Sequence, residues 1–183
     1  LVHSPYFSDL CGNEVYLKPE NLQVTGAYKI RGAYYKTSLL SEEQKARGLI
    51  TASAGNHAQG VAYAAKVAGV KATVVMPTTT PLMKVNRTKQ YGAEVILHGG
   101  VFDDAADYAM QLAQEQGLTY IPPFNDLDVA CGQGTIAYEI FQSLPDVDVI
   151  LVPIGGGGLA AGVSTLAKLL NPNVKVIGVE PTG

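Results

Sequence analysis

The chain has 183 residues, 47% of them apolar, and a formal charge of -3. That is enough for one large domain or two small ones with a buried core, and the acidic balance argues against a nucleic-acid surface. No apolar run reaches the ~20 residues of a membrane span, and the opening LVHSPYFSDL lacks the basic flank and apolar stretch of a secretory signal.

In chain order, the pattern predicts a short strand at 15–17, a helix over 26–40 and a short helix over 41–48. In that short helix Ser41 is the N-cap, Gln44 completes a capping box and Gly48 is the stop. A strand follows at 49–53, then an Ala-rich helix over 56–69 and a strand at 72–77. The next helix opens at Thr80-Pro81 with Pro81 at its first position, and ends near Gly92. A strand at 94–99 leads to a helix over 103–117, whose first turn carries Asp103 and Asp104. TYIPP reads as a strand, 133–144 as a helix, 148–154 as a strand, 158–170 as a helix and 174–180 as a strand. This alternation predicts an α/β fold with parallel sheets covered by helices. The strands are apolar runs, as expected when both sheet faces are buried. Ligands in such folds sit at the carboxyl ends of strands. Cys11 and Cys131 have no metal-like spacing and read as free thiols in a reducing cytoplasm. No metal site is expected.

Three stretches could carry chemistry. SAGNHAQG (53–60) joins a strand to a helix start, where Gly55 and free N–H groups offer an anion site and Ser53, Asn56 and His57 add donors. The bland alternative is a plain turn with Asn56 as N-cap. PIGGGGLAAG (153–162) lies in the same kind of position, and its four glycines allow several N–H groups to converge on phosphate oxygens. Gly156-x-Gly158-x-x-Ala161, with Glu180 beyond, also fits a dinucleotide fingerprint and so a nicotinamide-dependent oxidoreductase. In TGAYKIRGA (25–33), Lys29 falls in the first turn of a helix. There the helix dipole, burial and the like charges of Arg31 and Lys36 would lower its pKa, as a nucleophilic lysine requires. A solvated surface lysine is the bland reading. Its neighbours Tyr28 and Ile30 weigh against it. A phosphate site, a second small-anion site and an imine-forming amine together suit pyridoxal phosphate receiving an amino acid.

KPENLQVTGAYKIRGA, SAGNHAQG, KVNRTKQYGAEVILHG, GQGTIAYEI and VPIGGGGLAAG, in this order, resemble the threonine dehydratases of the fold type II pyridoxal-phosphate enzymes. The resemblance implies a tryptophan-synthase-β-like fold of two parallel-sheet subdomains. Residues 1–47 and 119–183 would form an incomplete large cofactor domain, and 48–118 a small substrate-closing one. It implies that Lys29 holds pyridoxal 5'-phosphate as a Schiff base, that the Tyr28 ring lies beside the cofactor where the family usually has Phe, and that Asn56 bonds the cofactor 3-hydroxyl. Gly155, Gly156, Gly157, Gly158 and Leu159 would form the phosphate cup. Ser53, Ala54, Gly55, Asn56 and His57 would make the substrate-carboxylate loop. Related serine racemases carry a serine at the position of Ala54, so alanine there favours elimination over racemisation.

The implied reaction is dehydration and deamination of L-threonine to 2-oxobutanoate and ammonia, with serine giving pyruvate. The alternatives are a serine dehydratase, a serine or aspartate racemase, and an inactive truncated paralogue acting as a binding module. The resemblance further implies a homo-oligomer whose partner is a small amino-acid substrate, with no nucleic-acid or membrane partner. In the family the large-domain sheet continues past GVEP, and later residues supply the partner of the pyridine nitrogen. The chain is therefore expected to be part of a longer enzyme.

Overall fold

The computed structural model describes residues 1–182. Its strands are β1 (Val2–His3), β2 (Tyr16–Leu17), β3 (Leu49–Ala52), β4 (Ala72–Met76), β5 (Glu94–Leu97), β6 (Thr119–Tyr120), β7 (Val149–Pro153) and β8 (Lys175–Val179). Its helices are α1 (Pro5–Cys11), α2 (Lys29–Leu39), α3 (Glu42–Arg47), α4 (Asn56–Ala68), α5 (Leu82–Gln90), α6 (Phe102–Gln116), α7 (Leu127–Ser143) and α8 (Gly158–Leu170), with a 3-10 turn at Glu20–Leu22.

The strands β5-β4-β3-β6 form one parallel sheet. Successive residues of its central strands face opposite ways. Leu49 and Val74 pack with Val61 and Ala64 of α4, whereas Ile50 and Val75 pack with Ala105, Ala109 and Leu112 of α6. Both faces are covered, which is why these strands read as apolar runs. The β7–β8 pair is also parallel. Its inner face packs on α7 and α8 through Ile150, Val152, Val163 and Ala167. Here the expectation of two buried faces does not hold: Val149, Leu151, Ile177 and Val179 are exposed, because no described element covers the opposite face.

Three helix crossings, α4 on α2, α2 on α7 and α7 on α8, are each made by glycine. A Cβ on Gly132 of α7 would lie 2.6 Å from the Gly32 Cα of α2. One on Gly162 of α8 would lie 2.0 Å from the Ala130 carbonyl oxygen of α7, and one on Gly60 of α4 would lie 3.1 Å from the Lys29 carbonyl oxygen. Backbone meets backbone at these points, a reason for glycine that outweighs its low helix propensity.

Several boundaries differ from expectation for physical reasons. The 26–40 helix starts only at Lys29, because Gly26 has φ +75° and turns the chain. The 133–144 helix begins at Leu127, where the Asp126 side chain accepts the Val129 N–H. Only Thr119–Tyr120 of TYIPP is strand, since the two prolines that follow cannot donate to a ladder. Helix α1, Pro5–Cys11, is not among the expected elements. The Ser41–Gln44 capping box forms as expected.

Candidate active site

Lys29 occupies the first position of α2, with its N-terminal flank on the Gly26 turn. Its Nζ donates to the Pro123 carbonyl at 2.5 Å and lies 5.6 Å from the Tyr28 ring centroid and 5.9 Å from that of Phe124. Burial lowers its pKa. The like charges expected to help do not, because both are neutralised locally. Arg31 turns the other way and makes paired bonds to Glu20 (2.7 and 2.9 Å) and to Glu139 (2.7 and 2.8 Å). Hydrogen bonds from Arg31, then from Lys18, hold the Glu139 carboxyl at about 2 against its partial burial. Lys36 is held by Asp126 at 2.9 Å and Asp128 at 2.8 Å. Of these three cations on α2, two therefore hold two carboxylates each, and Lys29 is absent from the ion pairs among the described residues.

The 53–57 loop sits beside it, because α4 rests on the Lys29 backbone through Gly60. Ser53 is buried and its hydroxyl accepts the Gly55 N–H at 3.2 Å. Ala54 and Gly55 are half-buried and Asn56 is exposed. Asn56 is not the N-cap: Gly55 holds that position and no side chain caps the helix. The first N–H groups of α4 are thus left without a capping acceptor.

His57 is buried at 3% exposure, and its ring points inward. Its Nε2 donates to the Ile121 carbonyl at 3.0 Å, and Nδ1 has no partner among the described residues. Burial is the main reason its pKa falls from 6.5 to about 4. The unfolded chain binds this proton below its unperturbed pKa near 6.5, whereas the folded chain resists it until about 4. Stability is therefore expected to fall as pH drops through that window, by roughly 3 kcal/mol from this group. Denaturant unfolding at stepped pH checks it. His57→Asn should flatten the slope between those limits, and an unchanged slope would assign the acid loss to other groups.

At the start of α8, Gly157 is the N-cap at φ +82° and no side chain caps the helix. A Cβ on Gly155 or Gly157 would meet nothing within 4 Å. One on Gly156 would lie 2.6 Å from the Phe124 ring. Leu159 is buried in the core beneath, where Tyr28 packs against the same cluster.

A pyridoxal-phosphate dependent enzyme family model matches residues 1–183. The chain belongs to that family. It is 54% identical to an L-threonine ammonia-lyase of Thermotoga maritima over 180 residues, covering 98% of this chain and 45% of the relative. The processed form of threonine deaminase isoform 2 from Solanum lycopersicum superposes with a TM-score of 0.96 at 48% identity, over 99% of this chain and 50% of that one. Maize serine racemase superposes equally well, TM-score 0.96, at 37% identity, over 100% of this chain and 55% of that one. The chain spans about half the length of the curated relatives it matches.

As a member of the pyridoxal-phosphate dependent family over its whole length, the chain is not read as a nicotinamide enzyme, and the 156–161 fingerprint loses its force. The segment 121–124 is what sequence reasoning missed. The Ile121 carbonyl accepts from both Thr51 and His57, Pro123 accepts from Lys29, and Phe124 covers Gly156. Asn125, at φ +56°, turns the chain out again. One signal was available: Pro122 and Pro123 at the carboxyl end of a strand, where ligand-binding segments of α/β folds lie. Among the described residues no cluster of His, Cys, Asp and Glu could hold a metal ion, no helix is long and apolar enough to cross a membrane, and both cysteines are free.

Proposed function

We propose that the full-length protein dehydrates and deaminates L-threonine to 2-oxobutanoate and ammonia, with L-serine giving pyruvate as a side activity. The observation that carries this reading is Lys29, a half-buried amine bonded to a backbone carbonyl, on a helix whose other cations hold carboxylates. The residues present fit pyridoxal phosphate, because α4 and α8 both start without a capping side chain and their N–H groups are available to anions. When bound, that cofactor supplies an electron sink for charge developing at the substrate Cα.

Lys29 would hold the cofactor covalently and then, as a free amine, take the Cα proton. Its lowered pKa favours the amine form. N–H groups of Gly155 to Gly158 and Leu159 would hold the phosphate, with Tyr28 beside the ring and Asn56 on the 3-hydroxyl. Ser53, Gly55 and the N–H groups that open α4 would hold the substrate carboxylate. His57 contributes there through its backbone, since its ring is turned into the core. Ala54 has no hydroxyl to serve as a base on the opposite face, which supports elimination over racemisation. The region around 48–118 would close on substrate and exclude water. The full protein is read as a cytoplasmic homo-oligomer.

Borohydride treatment of the full-length protein, followed by peptide mass spectrometry, should find a pyridoxyl adduct on Lys29. Assays with threonine and serine should yield keto acid and ammonia. An adduct on another lysine sinks the site, D-serine as the sole product favours the racemase reading, and an adduct without product favours an inactive paralogue.

A further inference from the structure

GQGTIAYEI carries part of the family resemblance, yet no role in the proposed site falls to its polar residue Gln133. Gln133 lies in α7 at 1% exposure, among the most buried side chains of the protein. Its Oε1 accepts the N–H of Gly32 in α2 at 3.1 Å. Its Nε2 is buried without a partner among the described residues. A methionine or leucine of similar size would fill this space and remove the stranded Nε2 donor, but it would take the acceptor from the Gly32 N–H, so packing alone does not explain a glutamine here.

The hydrogen bonds of α2 supply the explanation. In a regular α-helix the Gly32 N–H bonds the carbonyl four residues back, that of Tyr28. In this helix the Tyr28 carbonyl is taken by the Arg31 N–H at 3.0 Å, a tighter 3-10 winding. The displaced Gly32 N–H goes to Gln133. Gly32 also makes room for the amide, since a Cβ there would lie 2.3 Å from Nε2. The first turn of α2, which carries Lys29, thus opens on one i→i−3 bond and is tied to α7 through the Gly32 N–H.

We infer that Gln133 is a positioning residue for Lys29: by accepting the Gly32 N–H it fixes the winding of the first α2 turn and so the direction of the Lys29 amine. This rests on the proposed role of Lys29 and extends it to a residue that touches neither cofactor nor substrate. Misplacement of a reacting group by about 1 Å can lower turnover about a hundredfold.

The test uses full-length protein with Gln133→Met, which removes the acceptor, and Gln133→Glu, which keeps one. Four quantities are read: kcat and KM for threonine, amide exchange at Gly32, the pH profile of Lys29 acetylation in cofactor-free protein, and the melting temperature. Gln133→Met should lower kcat tenfold or more with KM within about twofold. It should speed exchange at Gly32 and shift the acetylation profile, with little change in melting temperature, because relief of the unpartnered Nε2 offsets the acceptor lost by the Gly32 N–H. Gln133→Glu should recover most of the kcat and the Gly32 protection. If Gln133→Met lowers the melting temperature while kcat and the acetylation profile stay as they were, the side chain serves packing and the inference is overturned. If Gln133→Glu keeps Gly32 protected yet turnover stays low, the link from Gly32 to Lys29 is overturned. Absence of a borohydride adduct on Lys29 in the unsubstituted protein removes the reading of Lys29 itself, a failure separable from either outcome.

Discussion

Lys29→Ala in the full-length protein is expected to reduce threonine turnover by about 10⁴-fold or more, since it removes the side chain proposed as both covalent anchor and proton acceptor. Lys29→Arg should be equally inactive: it keeps the charge, but a guanidinium stays protonated and forms no imine. Neither loss should come from unfolding. The Lys29 amine is half-buried and its one hydrogen bond runs to the Pro123 carbonyl, so alanine removes a partly desolvated charge without stranding an ionic partner. The melting temperature of Lys29→Ala should therefore match or exceed that of the parent when both are compared free of cofactor. Steady-state assay, absorbance of bound cofactor and a thermal melt check the three parts. Turnover within tenfold of the parent would end the assignment of Lys29.

The largest effect on stability is expected from Gly162→Ala. The added methyl would lie 2.0 Å from the Ala130 carbonyl oxygen and 2.8 Å from the Gly134 nitrogen, and both obstacles are helix backbone. Neither can swing aside as a flexible side chain would, so α7 and α8 must separate. Overpacking of this kind costs about 3 kcal/mol at the upper end of the usual range, or roughly 10 °C in melting temperature for a chain of this size. Cofactor affinity should fall as well, because α8 begins at the glycines proposed to hold the phosphate. Gly100→Ala is the control: its Cβ meets nothing within 4 Å, so its effect should stay within about 0.5 kcal/mol. A Gly162→Ala melt within 2 °C of the control would show that the crossing yields more easily than its geometry requires.

The alternation of strands and helices was legible because β3, β4 and the helices α4 and α6 that cover them obey local rules: apolar runs, Ala-rich turns and glycine stops. The 158–170 helix agrees at both ends, since a glycine run marks its start and Asn-Pro its finish. The sequence pattern starts α7 at 133 rather than at Leu127, and the helix contains two poor helix formers, Gly132 and Gly134. Their reason lies in α2 and α8, and no local window contains those partners. The charge environment of Lys29 was misjudged for a related reason. Arg31 and Lys36 are close to it in sequence, but the carboxylates Glu139, Asp126 and Asp128 that claim them lie about a hundred residues on. Candidate glycines and the lysine could be named from their types and order. The segment 121–124 that joins them has a sequence signal in its two prolines, but its contacts are visible only in three dimensions.

The Glu20–Arg31–Glu139 cluster described above also bears on the order of assembly. Its closing contact spans residues 31 to 139, whereas β3, α4, β4 and β5 all pair within 49–97. Long chain closures lose more entropy before any contact rewards them. The β3–β5 sheet is therefore expected to fold first, and the turn that carries Lys29 to be seated last, when α7 arrives. Pulsed amide exchange during refolding should then protect Val74 before Gly32. The lysine end of the molecule would be the last part completed on the way in and the first part exposed on the way out.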